Sequence, residues 1–269
     1  MRAAVLGLAC LTGCARAPSP LTPNFAGSIG VPQQGVLTDA AELPAHGEGF
    51  RCLRNNDRHY AVPRFARAIE RAAALVARER PGPPLVVGDL SVSHGGQLLP
   101  HFSHRTGRDA DLLLFAMTLE GAPVESPGFI HYDADGLAWD EAHQRFLRFD
   151  VEREWLLVKA LVEDPDARVQ WVFASQVIEA LLIEWARARG ESSDTVLRAQ
   201  LVMLQPNPGG VHDDHVHVRT ACTAEEIARG CEPSGPQRPW LALATRDDAP
   251  AAPTTEELIA ELLRPIGSD

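Results

Sequence analysis

The chain has 269 residues, 45% hydrophobic and 23% charged, which excludes wholesale disorder and leaves room for one sizeable core with tails. Its formal net charge is −11, which argues against a nucleic-acid partner gripped through phosphate contacts.

The chain begins MRAAVLGLACLTGC: one arginine, a short apolar run, then Leu11-Thr12-Gly13-Cys14. The run is too short to cross a bilayer but suits a secretory signal. Its ending resembles a bacterial lipobox, so residues 1–13 are expected to be a lipoprotein signal peptide and Cys14 the lipidated first residue of the mature protein. Residues 14–45, rich in Pro, Gly, Ala and Ser, read as a lipidated terminus and flexible tether. The folded domain is expected over 46–232.

Within it, residues 61–82 predict a helix, with Pro63 in the first turn and Pro81-Gly82 as the stop. Residues 84–91 and 111–116 predict buried strands, and 128–139 a hairpin turning at Asp135-Gly136. A helix over 150–164 starts at Asp150 as N-cap, a strand covers 168–175, and a helix over 176–190 closes at Gly190. A short helix over 192–204 and an alternating strand, HVHVRT at 215–220, follow. Residues 233–269 read as a Pro-rich linker ending in a short capped helix at TTEELIAELLRP. The class is α+β, a central mainly antiparallel sheet flanked by helices around a single site. The sequence leaves the oligomeric state open.

Past Cys14 three cysteines remain. Cys222 and Cys231 flank a short loop, and a bridge there would be worth roughly 2–3 kcal/mol on the loop-entropy model. Cys52 is then left over, either buried and free or paired with another chain.

Two stretches concentrate groups able to bind metals or move protons: HFSHRTGRDADLLLF from 101 and VHDDHVHVRT from 211. In the first, His104 and Asp111 flank Gly107, which lets the loop fold His104 back beside a strand carrying Asp111. In the second, His215 and His217 are two apart on a strand and share a face. If the strands are neighbours, His104, Asp111 and His217 meet. Two imidazoles and a carboxylate are plausible ligands for zinc, with a fourth tetrahedral position left for a water whose pKa falls to about 7. His215, one pleat along, is placed to move the proton or to hold a developing oxyanion. Asp109 is expected behind the ligands, as an orienting group, with a place as an alternative ligand the other reading.

His104-x6-Asp111 followed by His215-Val-His217 resembles the signature of the LAS zinc peptidases. More closely, SHRTGRDADL, WVFAS, LQP and HDDHVHVR resemble the penicillin-insensitive murein endopeptidases, over about Leu85 to Cys231. The resemblance implies an LAS-peptidase-like fold and hydrolysis of peptidoglycan cross-links, chiefly D-alanyl to meso-diaminopimelate, in the periplasm. Carried over by motif, His104, Asp111 and His217 are the zinc ligands and His215 the catalytic histidine. His101 and His212 match further cleft histidines, and Cys222–Cys231 matches a family disulfide. Glu154 departs from the pattern, which carries asparagine there, and the tail after Cys231 has no counterpart.

Two other readings compete: a D,D-carboxypeptidase acting on the same polymer, and a catalytically silent lipoprotein that binds peptidoglycan. Asp213 and Asp214 read most simply as a solvated turn, with orientation of a histidine as the alternative, and Asp133-Ala-Asp135-Gly136 as a turn because no bidentate glutamate follows. Neither an H-E-x-x-H helix nor a G-x-S-x-G elbow occurs. Arg105, Arg108 and Arg219 are the candidate cations for reading an acidic substrate.

Overall fold

The computed structural model describes residues 25–206, 210–236 and 238–241; the signal-like segment, Cys14 and the helix expected at 254–265 lie outside them. A seven-stranded sheet organises the chain. Its strands, in chain order, are β1 (His46–Gly47), β2 (Phe50–Cys52), β3 (Leu85–Val87), β4 (Asp109–Leu113), β5 (Val169–Phe173), β6 (Met203–Leu204) and β7 (His215–Thr220). Across the sheet they run β6-β5-β7-β4-β3-β2-β1. The β5–β6 and β2–β3 pairs are parallel and the other pairs antiparallel, so the sheet is mainly antiparallel as expected.

The two faces differ in chemistry because side chains alternate along each strand. Ala110, Leu112, Val172, Val216 and Val218 belong to the buried core. The alternate positions Asp109, Asp111, Trp171, Phe173, His215, His217 and Arg219 therefore lie on the other face.

The helices are α1 (Pro63–Glu79), α2 (Val151–Glu163), α3 (Gln176–Ala188), α4 (Ser193–Val202) and α5 (Ala224–Ala228). In α1, Phe65, Ile69, Ala72 and Val76 recur at helical spacing and are buried. Proline at its first turn loses no hydrogen bond there. Asp150, Ser175 and Ser192 each accept a backbone N–H at the starts of α2, α3 and α4. Trp155 and Leu161 of α2 enter the core, each worth about 1.5–3 kcal/mol of burial.

Two expectations change. The tether does not extend to residue 45: Ser28–Val31 pairs antiparallel with Gln34–Leu37, and Leu37 and Leu43 are buried in the core. Strands this short carry too few alternations to read from sequence. The hairpin expected at 128–139 lies further on, pairing Leu137–Asp140 with Arg145–Phe149. Asp133 accepts backbone N–H groups from Asp135 and Leu137, so Asp135-Gly136 forms a side-chain-closed turn that precedes the hairpin instead of its tip.

The beginning and end of the described fold are joined. Gly30 bridges to Cys231, its N–H donates to the Gly230 carbonyl (2.9 Å), and Glu232 N–H donates to the Gly30 carbonyl (3.1 Å). Cys222 and Cys231 form the expected disulfide, with Cα atoms 6.1 Å apart. Arg108, wholly buried, donates to the Gly30 and Glu232 carbonyls and approaches Cys222 Sγ at 3.1 Å. Cys52 is buried and free.

Candidate active site

The register between β4 and β7 sets His217 directly opposite Asp111, and Arg219 opposite Asp109. Phe173 of β5 faces His217 from the other side. One cross-strand row therefore reads Phe173, His217, Asp111, and the next Trp171, Arg219, Asp109.

The loop before β4 brings His104 to the same place. Gly107 has φ +71°, as its expected role required, and a Cβ there would stand 2.8 Å from the Leu37 methyls. His104 itself has φ +64°, uncommon for a residue with a side chain. Three bonds hold it so: its N–H donates to Asp109 Oδ2 (3.1 Å), its carbonyl accepts from Ser91 Oγ (2.6 Å), and Nδ1 donates to the Leu90 carbonyl (2.7 Å). The Nε2 lone pair is left 3.2 Å from Asp111 Oδ1.

His217 is held the same way from behind. Its Nε2 donates to Asp109 Oδ1 at 2.8 Å, which leaves Nδ1 3.4 Å from the same Asp111 oxygen. Asp109 also accepts from Arg219 Nε at 2.6 Å. The structure thus brings His104, Asp111 and His217 together, and puts Asp109 in the orienting position expected of it. Backing a ligand imidazole with a carboxylate fixes its tautomer and raises its basicity.

The electrostatics call for a cation. Asp111 is 1% exposed, and neither of its oxygens nor His104 Nε2 has a hydrogen-bond partner among the described residues. An ionised carboxylate buried without a donor costs several kcal/mol. Burial pushes the Asp111 carboxyl up, but His104 and His215 beside it hold it well below the ordinary range, so it stays charged. Burial lowers His217 to about 4 despite Asp109, leaving a neutral imidazole with a free lone pair. A nitrogen–oxygen set of this kind fits zinc.

Around this centre lies a cleft of about 760 Å³, lined among others by His101, Phe102, Phe129, Phe173, His212 and Arg219. His215 sits 3.4 Å from Asp111 Oδ1 through Nε2, and its Nδ1 donates to Asp214 at 2.6 Å. Burial lowers its pKa, but the Asp111 and Asp214 carboxylates beside it outweigh that and raise it to about 10. His101 donates through Nε2 to Asp89 (2.9 Å), which leaves Nδ1 3.6 Å from Asp111 Oδ2. His212 donates through Nδ1 to the Gly210 carbonyl (2.7 Å), and its ring centre lies 4.9 Å from that of His215.

Several cleft residues were not read from sequence. Asp214 is not the solvated turn residue of the simplest reading but takes the alternative, orienting His215. Asp213 pairs with His131 at 2.7 Å. Asp89, which also takes Arg54 and Arg58, was missed, although a charge directly after the apolar run LVVG is itself a signal. Phe129, edge-on to His215, and Phe173, edge-on to His217, were missed too, since nothing local marks an apolar residue as a cleft wall. Of the three arginines singled out, only Arg219 lines the cleft. Arg108 points the other way, into the joint between Gly30 and Glu232.

A sequence model described as penicillin-insensitive murein endopeptidase matches residues 28–240. The chain is similar to a protein of that name from Haemophilus influenzae, 30% identical over 226 residues, covering 81% of this chain and 71% of that one. It is also similar to proteins of the same name from Escherichia coli and Shigella boydii, each 27% identical over 217 residues, covering 80% of this chain and 73% of theirs. The matched span contains both paired strands and every histidine of the cleft, and the chain belongs to the penicillin-insensitive murein endopeptidase family.

Proposed function

We propose that the protein is a zinc-dependent murein endopeptidase that hydrolyses the peptide cross-links of peptidoglycan, the D-alanyl to meso-diaminopimelate bond. The observation that carries the metal dependence is the convergence of His104 and His217 on an Asp111 carboxylate that is buried and has no donor of its own. His104 Nε2, Asp111 and His217 Nδ1 would hold the ion. Zinc bound there supplies Lewis acidity and brings the pKa of a water to about 7.

The remaining work falls to the chain's own groups. His215, its Nδ1 tied to Asp214, holds a proton on Nε2 toward the cleft. That proton goes first to the oxygen on which charge develops, as a hydrogen bond, and then to the departing amine; His215 recovers one from the attacking water. Asp109 and Arg219 keep His217 from rotating. Phe102, Phe129 and Phe173 give the cleft apolar walls that suit the methyl groups of alanyl residues.

The test is incubation of the purified protein with cross-linked muropeptide dimers, following monomer release. Release that needs zinc and stops on chelation is the expected result. No release with zinc present, or release indifferent to chelation, rejects the reading. Loss of one D-alanine from a pentapeptide monomer, with dimers intact, would make the protein a carboxypeptidase instead.

The LTGC sequence supports export to the periplasm with a lipid on Cys14 and peptidoglycan as the partner met there. Labelled fatty acid should enter the wild type and not Cys14→Ser.

A further inference from the structure

A second, four-stranded sheet carries a surface of its own. It orders Pro123–Val124, Ala116–Met117, Arg145–Phe149 and Leu137–Asp140, with the last strand at its edge. Side chains alternate along these strands, and the inward set, Ala138, Leu147 and Phe149, is buried. An outward set facing water is ordinarily polar. Here Trp139 and Phe146, directly opposite one another, are 42% and 53% exposed, and Leu137 shares their face. Further across, the register sets Arg148 opposite both Leu137 and Met117. Arg148 and Met117 in turn line a cavity of about 330 Å³, together with Asp135, Glu152 and, from α3, Leu181 and Trp185. That cavity shares no lining residue with the metal cleft.

The surface is set before any ligand arrives. The Asp140 carboxylate, 1% exposed, accepts from His143 Nδ1 (2.7 Å) and Arg145 Nε (3.2 Å) and so clasps the turn of the hairpin. Trp139 Nε1 donates to Glu141 Oε2 (2.6 Å), and Gln144 Nε2 donates to Glu141 Oε1 (3.2 Å). The Phe146 ring meets the indole edge-on at 5.0 Å, which holds it from the other strand. Aromatic anchors fixed in this way lose little side-chain freedom on binding. Arg148 spends one nitrogen on Met117 Sδ (3.2 Å), and a guanidinium has more donors than that.

A pyranose ring offers C–H bonds on its faces and hydroxyls around its rim. Aromatic rings pack against the first, while carboxylate and guanidinium groups bond the second. Trp139, Phe146 and Trp185 supply the apolar faces, with Glu141, Arg148 and Asp135 at their margins. Met117 and Leu181 suit the methyl of an acetamido group. A concave, largely apolar site with a few polar groups is the usual form of a small-ligand pocket. Charges of both signs suit a neutral, hydroxyl-rich chain. An anionic lipid surface would instead meet Asp135, Glu141 and Glu152 on a chain of net charge −11.

We infer that this face and its cavity form a saccharide site, apart from the metal cleft, that takes the glycan strand of peptidoglycan, a chain of β-linked N-acetylated amino sugars. Peptidoglycan as the source of the strand rests on the endopeptidase reading above; the sugar site itself does not. The two sites are joined through one short stretch of chain. It runs from Phe129 in the cleft wall to Leu137 on this face, and Tyr132 N–H ties it to the Asp213 carbonyl at 3.0 Å. A polymer held here raises the local concentration of its cross-links at the cleft.

The experiment is calorimetric titration of the full protein with a hexamer of N-acetylglucosamine, on wild type and on a double variant, Trp139→Ala with Arg148→Ala. Binding by wild type that weakens about tenfold or more in the double variant is expected. Hydrolysis of intact sacculi should slow by a similar factor, while sugar-free cross-linked peptide dimers are cut at the wild-type rate. No binding of the hexamer by wild type overturns the site, and so does unchanged binding by a double variant that circular dichroism shows to be folded. Lipid vesicles held by wild type and released by the variant, with the hexamer ignored, would give the face to a membrane and overturn the proposal. Equal slowing on dimers and sacculi overturns its separation from the cleft. If the hexamer binds as expected while neither substrate is cut with zinc present, the sugar site stands and the endopeptidase reading falls.

Discussion

Glu154 offers a sharp test of how a buried acid shapes this fold. Its side chain is fully buried on α2; Oε2 accepts from Phe115 N–H at 3.1 Å, and Oε1 has no partner among the described residues. Burial, with a smaller contribution from Asp150, raises its pKa from 4.5 to about 8, against the pull of the Phe115 bond. The folded protein therefore keeps a proton there that the unfolded chain releases above pH 4.5. Stability contributed by this group is complete below 4.5 and is lost as pH rises toward 8. The full span amounts to about 5 kcal/mol as an upper bound. Glu154→Gln keeps an acceptor for Phe115 N–H and never ionises. Measured by denaturant unfolding of matched metal-loaded samples, the variant should gain little or nothing at pH 4.5 and several kcal/mol at pH 8.5. Thermal midpoints should separate by about 2–4 °C per kcal/mol. Because other titrating groups are common to both proteins, their effects cancel in the difference. A variant-minus-wild-type difference that stays constant from pH 4.5 to 8.5 would refute the reasoning.

Three further outcomes follow from the site. Asp111→Ala removes the carboxylate on which His104 and His217 converge, so zinc should no longer stabilise the variant, whereas wild type gains about 4 kcal/mol at a thousandfold excess over Kd, read by thermal shift. Asp109→Asn frees the His217 ring and leaves Arg219 without its counter-charge; zinc affinity, read by competition with a chromogenic chelator, should fall about 10–100-fold. Gly88→Ala places a Cβ 3.1 Å from both the Cβ and the carbonyl of Asp111, and 3.1 Å from Phe129. The Asp111 carbonyl is tied to Gly88 N–H at 2.8 Å and cannot retreat, so the crowding falls on the carboxylate and the cleft wall. Muropeptide turnover should drop about 10–100-fold with the fold retained by circular dichroism.

The candidate ligands were legible because each depends on short-range geometry. HVHVRT alternates so plainly that β7 falls on its expected residues, and a glycine between His104 and Asp111 announces the bend that joins them. The partners behind the ligands were less so. Asp109 could be placed by parity with Asp111, whereas Asp89 and Asp214 acquire their roles only when loops distant in sequence, or a side-chain rotamer, aim them at His101 and His215. The strands at 28–37 escaped notice because they are held by residues distant in sequence, Arg108, Gly230 and Cys231, and no local pattern encodes that. Glu154 shows the converse case: a departure visible in the sequence whose meaning, a carboxyl kept neutral by burial, needed the packing around it.

The clasp between Gly30 and residues 230–232 also governs how the domain bears load. A pull on residue 25 meets the backbone bonds of Ala26 to Arg229 and Gly30 to Gly230 before it meets β4 or β7, and the Cys222–Cys231 crosslink passes the force onward to the far end of β7. His217 and Asp111 lie in the middle of β7 and β4, beyond the end at which that load arrives. A domain hauled about by its leading end would thus keep its jaws in register while the strap beside them takes the strain.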